Sequence, residues 1–140
     1  MISVEIKRKD DAFAFEGIDA NGHTLRMDAA AEIGGNNSGV RPMQVLLMSL
    51  GGCSGIDIVS ILKKQRQDVK DFSISIHGER EQGKEPSLWK KIDVLFKFKG
   101  TVDEDKARKA CALSIDKYCS VAATLRAAGC EISWDILIEN

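Results

Sequence analysis

Apolar and polar residues alternate in three short segments at the start of the chain, with the period of two that is typical of β-strands. The apolar positions are Ile2, Val4 and Ile6, then Phe13 and Phe15, then Leu25 and Met27. Turn residues separate the segments at Asp10-Asp11 and at Asn21-Gly22, and Asn-Gly is a strong hairpin signal. The first part of the chain therefore predicts short strands joined by tight turns.

A long apolar segment follows and begins at Pro42, a residue that suits the first turn of a helix. The sequence predicts one helix from Pro42 to about Gln65, apolar on nearly every side in its front half and polar at its end. A helix that is apolar all round has to be buried all round, and one small sheet covers a single side. We therefore expect a further covering element, such as a second subunit.

The rest of the chain predicts two strands, two helices and a final strand. Phe72–Ile76 and Ile92–Phe98 alternate and should form an antiparallel hairpin, since a charged loop joins them. Thr101-Val102-Asp103-Glu104 has the pattern of a capping box and predicts a helix with Ala107, Ala110, Cys111 and Ser114 on one face. A short helix follows from about Ser120 to Ala128, stopped by Gly129, and Ile132–Ile138 alternates as a last strand.

The order β-β-β-α-β-β-α-α-β has its strands in hairpins and its helices in blocks, which indicates an α+β fold rather than a doubly wound sheet. The length of 140 residues suits one domain that spans residues 1–140.

The charge balance excludes two classes of partner. With 20 basic and 21 acidic residues the net charge is -1, whereas a phosphate-contacting nucleic-acid binder or a polybasic membrane-surface protein needs a basic excess. The longest uncharged run, from Pro42 to Ile56, is shorter than the roughly 18 apolar residues of a membrane span. The N-terminus has no signal-peptide pattern, so we expect a cytoplasmic protein without nucleic-acid or membrane partners.

Two motifs that would indicate a cofactor are missing from the sequence. The loop Gly34-Gly35-Asn36-Asn37-Ser38-Gly39 has neither the ending of a P-loop nor the spacing of a dinucleotide fingerprint. The four cysteines, Cys53, Cys111, Cys119 and Cys130, contain no C-x-x-C pair and so do not support a zinc site. We expect no metal and no organic cofactor.

The segment Ser49–Gly55 carries three glycines, although each glycine inside a helix costs about 1 kcal/mol relative to alanine. Small residues there leave space beside Cys53 for a backbone, a side chain or a ligand. Two other interpretations stay open: Cys53 is a small buried hydrophobe, or Gly51-x-Cys53-x-Gly55 is the nucleophile elbow of a cysteine hydrolase. That elbow needs a preceding strand and a downstream histidine, and only His77 lies downstream.

The other three cysteines differ in their predicted surroundings. Cys119 lies at the start of the last short helix, where free N–H groups favour a thiolate. Cys111 lies on an apolar helix face, where burial keeps a thiol protonated and inert. Cys130 carries no distinguishing signal.

Two motifs together, Arg41–Asp57 with its Gly-Gly-Cys-Ser and Lys117-Tyr118-Cys119-Ser120-Val121 far downstream, resemble the OsmC/Ohr superfamily of osmotically inducible and organic hydroperoxide resistance proteins. The resemblance covers nearly the whole chain. It implies an α+β intertwined homodimer, with an antiparallel sheet and a long central cysteine-bearing helix.

The resemblance also implies thiol-dependent reduction of a small organic hydroperoxide in oxidative-stress defence, with Cys53 and Cys119 as the catalytic pair and an external dithiol as reductant. The apolar Leu46, Leu47 and Leu50 before Cys53 favour organic hydroperoxides over hydrogen peroxide.

The sequence departs from the better-known members of that family at one position. They carry a glutamate directly after the proline, where this chain has Met43 followed by Gln44. They also set an N-terminal arginine against the thiolate, a role for which Arg8, Arg26 and Arg41 are all candidates. The alternative function is therefore a non-enzymatic dimeric binding module, or a slow redox sensor, with a small apolar pocket.

Overall fold

The computed structural model describes residues 1–139, and these contain the six strands and three α-helices that the sequence predicts, in the predicted order. Their bounds are β1 Glu5–Arg8, β2 Phe15–Ile18, β3 Thr24–Met27, α1 Pro42–Lys64, β4 Asp68–Arg80, β5 Trp89–Thr101, α2 Glu104–Leu113, α3 Ser120–Ala127 and β6 Glu131–Glu139. The α+β fold class is confirmed. Two further elements were not predicted: a 3-10 turn at Ala31–Ile33 and a π-helical turn at Ser114–Tyr118.

The chain divides into two compact units, Met1–Leu46 and Leu47–Asn140, which we call the N-terminal and C-terminal units. The N-terminal unit is an antiparallel sheet in the order β1-β2-β3. Its β2–β3 hairpin turns where predicted: Gly22 has a φ of 86°, and the Asp19 carboxylate accepts the backbone N–H groups of Asn21 and His23. Turn chemistry at these residues therefore fixes the pairing of β2 with β3.

An apolar groove of about 610 Å³ lies within the N-terminal unit. Its lining consists of Ile6, Phe13, Phe15, Met27, Asp28, Ala29, Ala30, Ile33, Arg41 and Pro42. Several of these side chains, among them Ile6 and Phe13, are exposed. The apolar face of this short sheet is thus left partly open in the single chain.

The C-terminal unit is a sheet in the order β4-β5-β6. Strands β4 and β5 form the predicted antiparallel hairpin, whereas β6 pairs with β5 in parallel, because the chain crosses over through α2 and α3 before it returns. On the inner face, Phe72 of β4 stacks on Phe98 of β5 with 4.6 Å between ring centroids. The core is completed by Leu50, Ile58, Leu62, Ile92, Val94, Phe96, Ala107, Ala110, Cys111 and Ile136.

Helix α2 begins two residues later than the predicted capping box. Asp103 is the N-cap, and its carboxylate accepts the Lys106 N–H at 3.0 Å. Thr101, predicted to cap the helix, is still paired with Asp68 in the β4–β5 ladder and is therefore not free to do so. Helix α3 ends at Ala127, one residue before the predicted end, and Gly129 follows the C-cap Ala128 at a φ of 95°, as the predicted stop signal.

Helix α1 is long and apolar enough to cross a membrane by length and composition alone. The sequence predicted no membrane span, because the uncharged run alone is too short. A longer stretch that includes the single charge of Asp57 does meet the length and hydropathy that a span needs. The buried core helix of a soluble protein meets it as well. Four of its residues, Leu50, Ser54, Ile58 and Leu62, lie in the core, whereas Leu46, Met48, Ile56 and Val59 are exposed.

Candidate active site

Cys53 lies in the middle of α1 and is half-buried rather than part of the closed core. Two of the neighbouring glycines let β4 approach the helix: a Cβ at Gly51 would lie 3.0 Å from Ile76 Cδ1, and one at Gly55 would lie 3.3 Å from Ile74 Cδ1. Apart from its two neighbours in sequence and the nearby backbone of the helix itself, no atom of residues 1–139 comes within 4 Å of the Cβ position at Gly52. The predicted space beside Cys53 is therefore filled on one side and open on the other.

The nucleophile-elbow interpretation is wrong, because Gly51–Gly55 lies inside a continuous 23-residue helix and not at a strand-to-helix turn. His77 is an exposed residue of β4, directly opposite Asp93 in the β4–β5 ladder. The interpretation of Cys53 as a small buried hydrophobe holds in part, since the residue packs against the core but is only half-buried.

Cys119 is the N-cap of α3 and follows the π-helical turn. Its Sγ accepts the Ala122 N–H at 3.4 Å, and its own N–H donates to the Ser114 carbonyl at 2.7 Å. Only 3% of the residue is exposed. The backbone on both sides of this thiol is therefore fixed by hydrogen bonds.

The structure brings Cys53 and Cys119 close enough for the two thiols to affect each other's protonation, and both pack on the same core. Burial raises the pKa of Cys119 to about 11; the Ala122 N–H opposes this rise, and the nearby Cys53 thiol adds to it. The thiolate predicted at this helix start is therefore wrong, because loss of solvation outweighs the attraction of the helix N-terminus. Cys119 is a protonated thiol held against Cys53.

The two remaining cysteines are buried. Burial raises the pKa of Cys111 to about 12, as expected for a thiol on the apolar face of α2. Burial also raises the pKa of Cys130, whose Sγ lies 3.6 Å from the Glu131 carbonyl oxygen. Within residues 1–139, no group of three or more His, Cys, Asp or Glu side chains is arranged to hold a metal ion.

The π-helical turn before Cys119 is anchored on two sides. Ser114 Oγ lies 3.2 Å from the Ser54 carbonyl oxygen and 3.1 Å from Asp57 Oδ2, both on α1. From α3, Arg126 donates to the Ile115 carbonyl at 2.7 Å. Ser114 was predicted to lie on the apolar face of α2, and a lone hydroxyl on such a face is the sequence signal that could have identified it.

The three candidate arginines are occupied within the N-terminal unit. Arg8 donates to the carbonyls of Asp11 and Ala12, Arg26 to Ser38 Oγ, and Arg41 to the Gly39 carbonyl and Asn37 Oδ1. Gln44 Oε1 accepts the Arg41 backbone N–H at 2.9 Å, as the residue three positions after the N-cap does in a capping box. Gln44 therefore caps α1 through the backbone of Arg41, and its side chain carries no charge to set against the guanidinium.

Three comparisons place this chain among known proteins. A family model described as OsmC-like protein matches residues 35–135. The protein YhfA of Escherichia coli (strain K12) is 41% identical over 122 residues, which cover 84% of this chain and 85% of YhfA. A hypothetical protein from Aquifex aeolicus VF5 has 34% identity and a TM-score of 0.81, covering 100% of this chain and 98% of its own.

An organic hydroperoxide resistance protein OsmC from Legionella pneumophila, a predicted redox protein, has the same fold at 14% identity. Its TM-score is 0.67, over 99% of this chain and 97% of its own. The match to the family model over most of the chain, together with the identity to YhfA, gives the assignment: the chain belongs to the OsmC-like protein family.

Proposed function

We propose that this protein is a thiol-dependent peroxidase that reduces organic hydroperoxides in oxidative-stress defence, through a cycle between Cys53 and Cys119. The proximity of the two thiols carries this proposal, because it places a partly accessible cysteine beside a buried one. Accessibility and a neighbouring second thiol are what a cysteine needs in order to meet a peroxide and then be resolved as a disulfide.

In the proposed cycle, the Cys53 thiolate attacks the distal oxygen of the hydroperoxide. The O–O bond breaks, an alkoxide leaves and takes a proton from water, and Cys53 becomes a sulfenic acid. The Cys119 sulfur then attacks the Cys53 sulfur, the S–O bond breaks, and water leaves with the Cys119 proton. An external dithiol reduces the resulting disulfide and is itself oxidised to a disulfide.

The surface of α1 next to Cys53 favours an organic substrate. The Gly52 side of the helix is open, so the organic substituent of a hydroperoxide would find space beside Cys53 there. Of the three leucines expected to line the site, Leu50 is fully buried in the core and so contributes no surface. The name of the Legionella relative, organic hydroperoxide resistance protein, supports the same substrate class.

The alternative function, a non-enzymatic binding module or slow redox sensor, is favoured by the contacts of Gln44 and Arg41. The Arg41 guanidinium bonds to a carbonyl and an amide oxygen rather than to a carboxylate. A thiolate site without such a charge pair would react slowly with peroxide. The two functions differ in one measurable respect: a peroxidase consumes hydroperoxide in many catalytic cycles, whereas a binding module or slow sensor does not.

We also propose that the protein works as a cytoplasmic homodimer in which each chain is one domain. The exposed apolar residues of α1 and the open groove of the N-terminal unit support this, because a monomer would leave both in water. No metal or organic cofactor enters the proposed cycle.

Steady-state consumption of cumene hydroperoxide with dithiothreitol tests the peroxidase. We expect turnover by the wild-type protein, faster than with hydrogen peroxide, and a loss to background in Cys53→Ser. Cys130→Ser is the matched control, because it also removes one thiol, and we expect it to keep wild-type turnover. Background rates in the wild-type protein would favour the binding module instead.

A further inference from the structure

We propose that Ser114 is a positioning residue, which holds the segment carrying Cys119 against the segment carrying Cys53 so that the disulfide can close. This inference rests on the proposed function and names a residue outside the two cysteines. It concerns the second step of the cycle, in which the sulfur of Cys119 displaces water from the sulfenic acid of Cys53.

The first observation is the contact of Ser114 with α1. Ser114 is fully buried, and its Oγ reaches the carbonyl of Ser54, the residue that directly follows Cys53. The same hydroxyl reaches Asp57 Oδ2 at 3.1 Å. One hydroxyl hydrogen serves two acceptors on α1, so the start of the π-helical turn is tied to the part of the helix that carries Cys53.

The second observation is the contact of Ser114 with Cys119 itself. The Ser114 carbonyl accepts the Cys119 N–H at 2.7 Å, a bond that spans five residues and closes the π-helical turn. Single π-helical turns occur frequently at functional sites. Ser114 therefore joins the two thiol-bearing segments through its side chain on one side and its backbone on the other.

The third observation is that the turn has a separate support on its outer side. Arg126 donates to the Ile115 carbonyl and to Asp116 Oδ1. This support holds the turn to α3 and does not reach α1. Loss of the Ser114 hydroxyl would thus leave α2, the turn and α3 connected to one another while removing their side-chain bond to the α1 residues beside Cys53.

The direct test measures how readily the two thiols form their disulfide, independently of peroxide. Reduced protein is equilibrated with defined ratios of reduced and oxidised glutathione, and the Cys53–Cys119 disulfide is quantified by mass spectrometry. We expect Ser114→Ala to lower the equilibrium constant for disulfide formation about tenfold, the scale of one buried hydrogen bond. Ser114→Thr keeps the hydroxyl and should recover most of that loss.

Ser133→Ala is the matched control, because Ser133 also donates its hydroxyl to a carboxylate, that of Asp93, on the exposed face of the sheet. Ser133→Ala should leave the equilibrium constant for disulfide formation unchanged.

A kinetic measurement separates the two steps of the cycle. Sulfenic acid formation on Cys53, trapped with dimedone, should keep its rate in Ser114→Ala, whereas closure of the disulfide should become slower.

The outcomes separate the two proposals. If the wild-type protein forms the disulfide with glutathione but no sulfenic acid with peroxide, the proposed function fails, and the equilibrium constants still decide the role of Ser114. If Ser114→Ala closes its disulfide as the wild-type protein does, or if Ser114→Thr is as impaired as Ser114→Ala, the positioning role is overturned.

Discussion

Burial decides the protonation of the thiols at the scale of single residues. The N-terminus of a helix stabilises a negative charge by about 0.3–1 kcal/mol at an exposed position, whereas the loss of solvation acts on the whole charge of a buried thiolate. Cys119, with a pKa of about 11, therefore keeps its proton at neutral pH although it caps α3. In the proposed cycle, a protonated Cys119 would supply the proton with which the hydroxide leaves as water.

The raised pKa of Cys111 makes the stability of the protein dependent on pH. The thiol has a pKa of about 12 in the folded chain against an ordinary value of 9.0, so its contribution is complete below pH 9 and is lost as the pH rises towards 12. At pH 10 the loss from this group is about 1 kcal/mol.

Urea unfolding under reducing conditions measures this contribution. Between pH 7 and pH 10, Cys111→Ala should lose about 1 kcal/mol less stability than the wild-type protein does. Between pH 6 and pH 7, where cysteine does not titrate, the two proteins should change alike. Equal losses up to pH 10 would mean that Cys111 is not the protonated, buried thiol described here.

The connection between β3 and α1 shows how one side chain organises an element that sequence identifies only as a loop. The Asp28 carboxylate accepts the N–H groups of Ala29, Asn36 and Ser38 and the Ser38 hydroxyl. Ser38 contributes most to lowering the pKa of Asp28, to about 2, so the carboxylate stays charged at any pH above the acid range. The backbone amides of this glycine-rich loop bind the protein's own Asp28.

Gly35 in this loop has no room for a side chain. A Cβ there would lie 2.2 Å from the Ala29 carbonyl oxygen, a backbone atom that cannot move without breaking the loop. Gly35→Ala should destabilise the protein by roughly 1–3 kcal/mol, the usual cost of overpacking. Amide hydrogen exchange at Asn36 and Ser38 should become faster.

Gly52→Ala is the control for this substitution, since the Cβ position at Gly52 has no neighbour within 4 Å among residues 1–139. It should leave exchange at Asn36 and Ser38 unchanged. Protection of these two amides in Gly35→Ala at the wild-type level would contradict the described packing of the loop.

Hydropathy periods predicted the strands and helices because the repeat of apolar residues that marks each element is local in sequence. They could not predict the π-helical turn, since its extra residue is set by bonds from Ser114 to α1 and from Arg126 to Ile115, far apart in sequence. The pairing of Cys53 with Cys119 likewise came from the family resemblance, and the local pattern predicted the wrong charge state for Cys119.

At the scale of the whole molecule, the distribution of apolar surface is the observation on which the dimer proposal rests. Helix α1 exposes Met48, Ile56 and Val59, and the N-terminal unit leaves an apolar groove open. Monomeric proteins rarely expose contiguous apolar patches of large area. The sequence prediction that something other than one small sheet covers this helix fits the exposed face, and the homodimer stays a proposal.

Sedimentation equilibrium at micromolar concentration tests the dimer. We expect about twice the chain mass of 15.3 kDa, and a shift towards the monomer in Ile56→Lys, because the charge would enter the apolar α1 face. Leu137→Lys, at an exposed position on β6, should remain dimeric and serves as the control. A single species of monomer mass in the wild-type protein would remove the dimer proposal.

The most direct measurement of the central claim is a map of the disulfide formed on oxidation. Reduced protein is treated with one equivalent of cumene hydroperoxide, free thiols are blocked, and the digested peptides are analysed by mass spectrometry. The account predicts a dominant Cys53–Cys119 link, with Cys111 and Cys130 still reduced. A dominant link through Cys111 or Cys130, or overoxidised Cys53 beside a free Cys119, would contradict it.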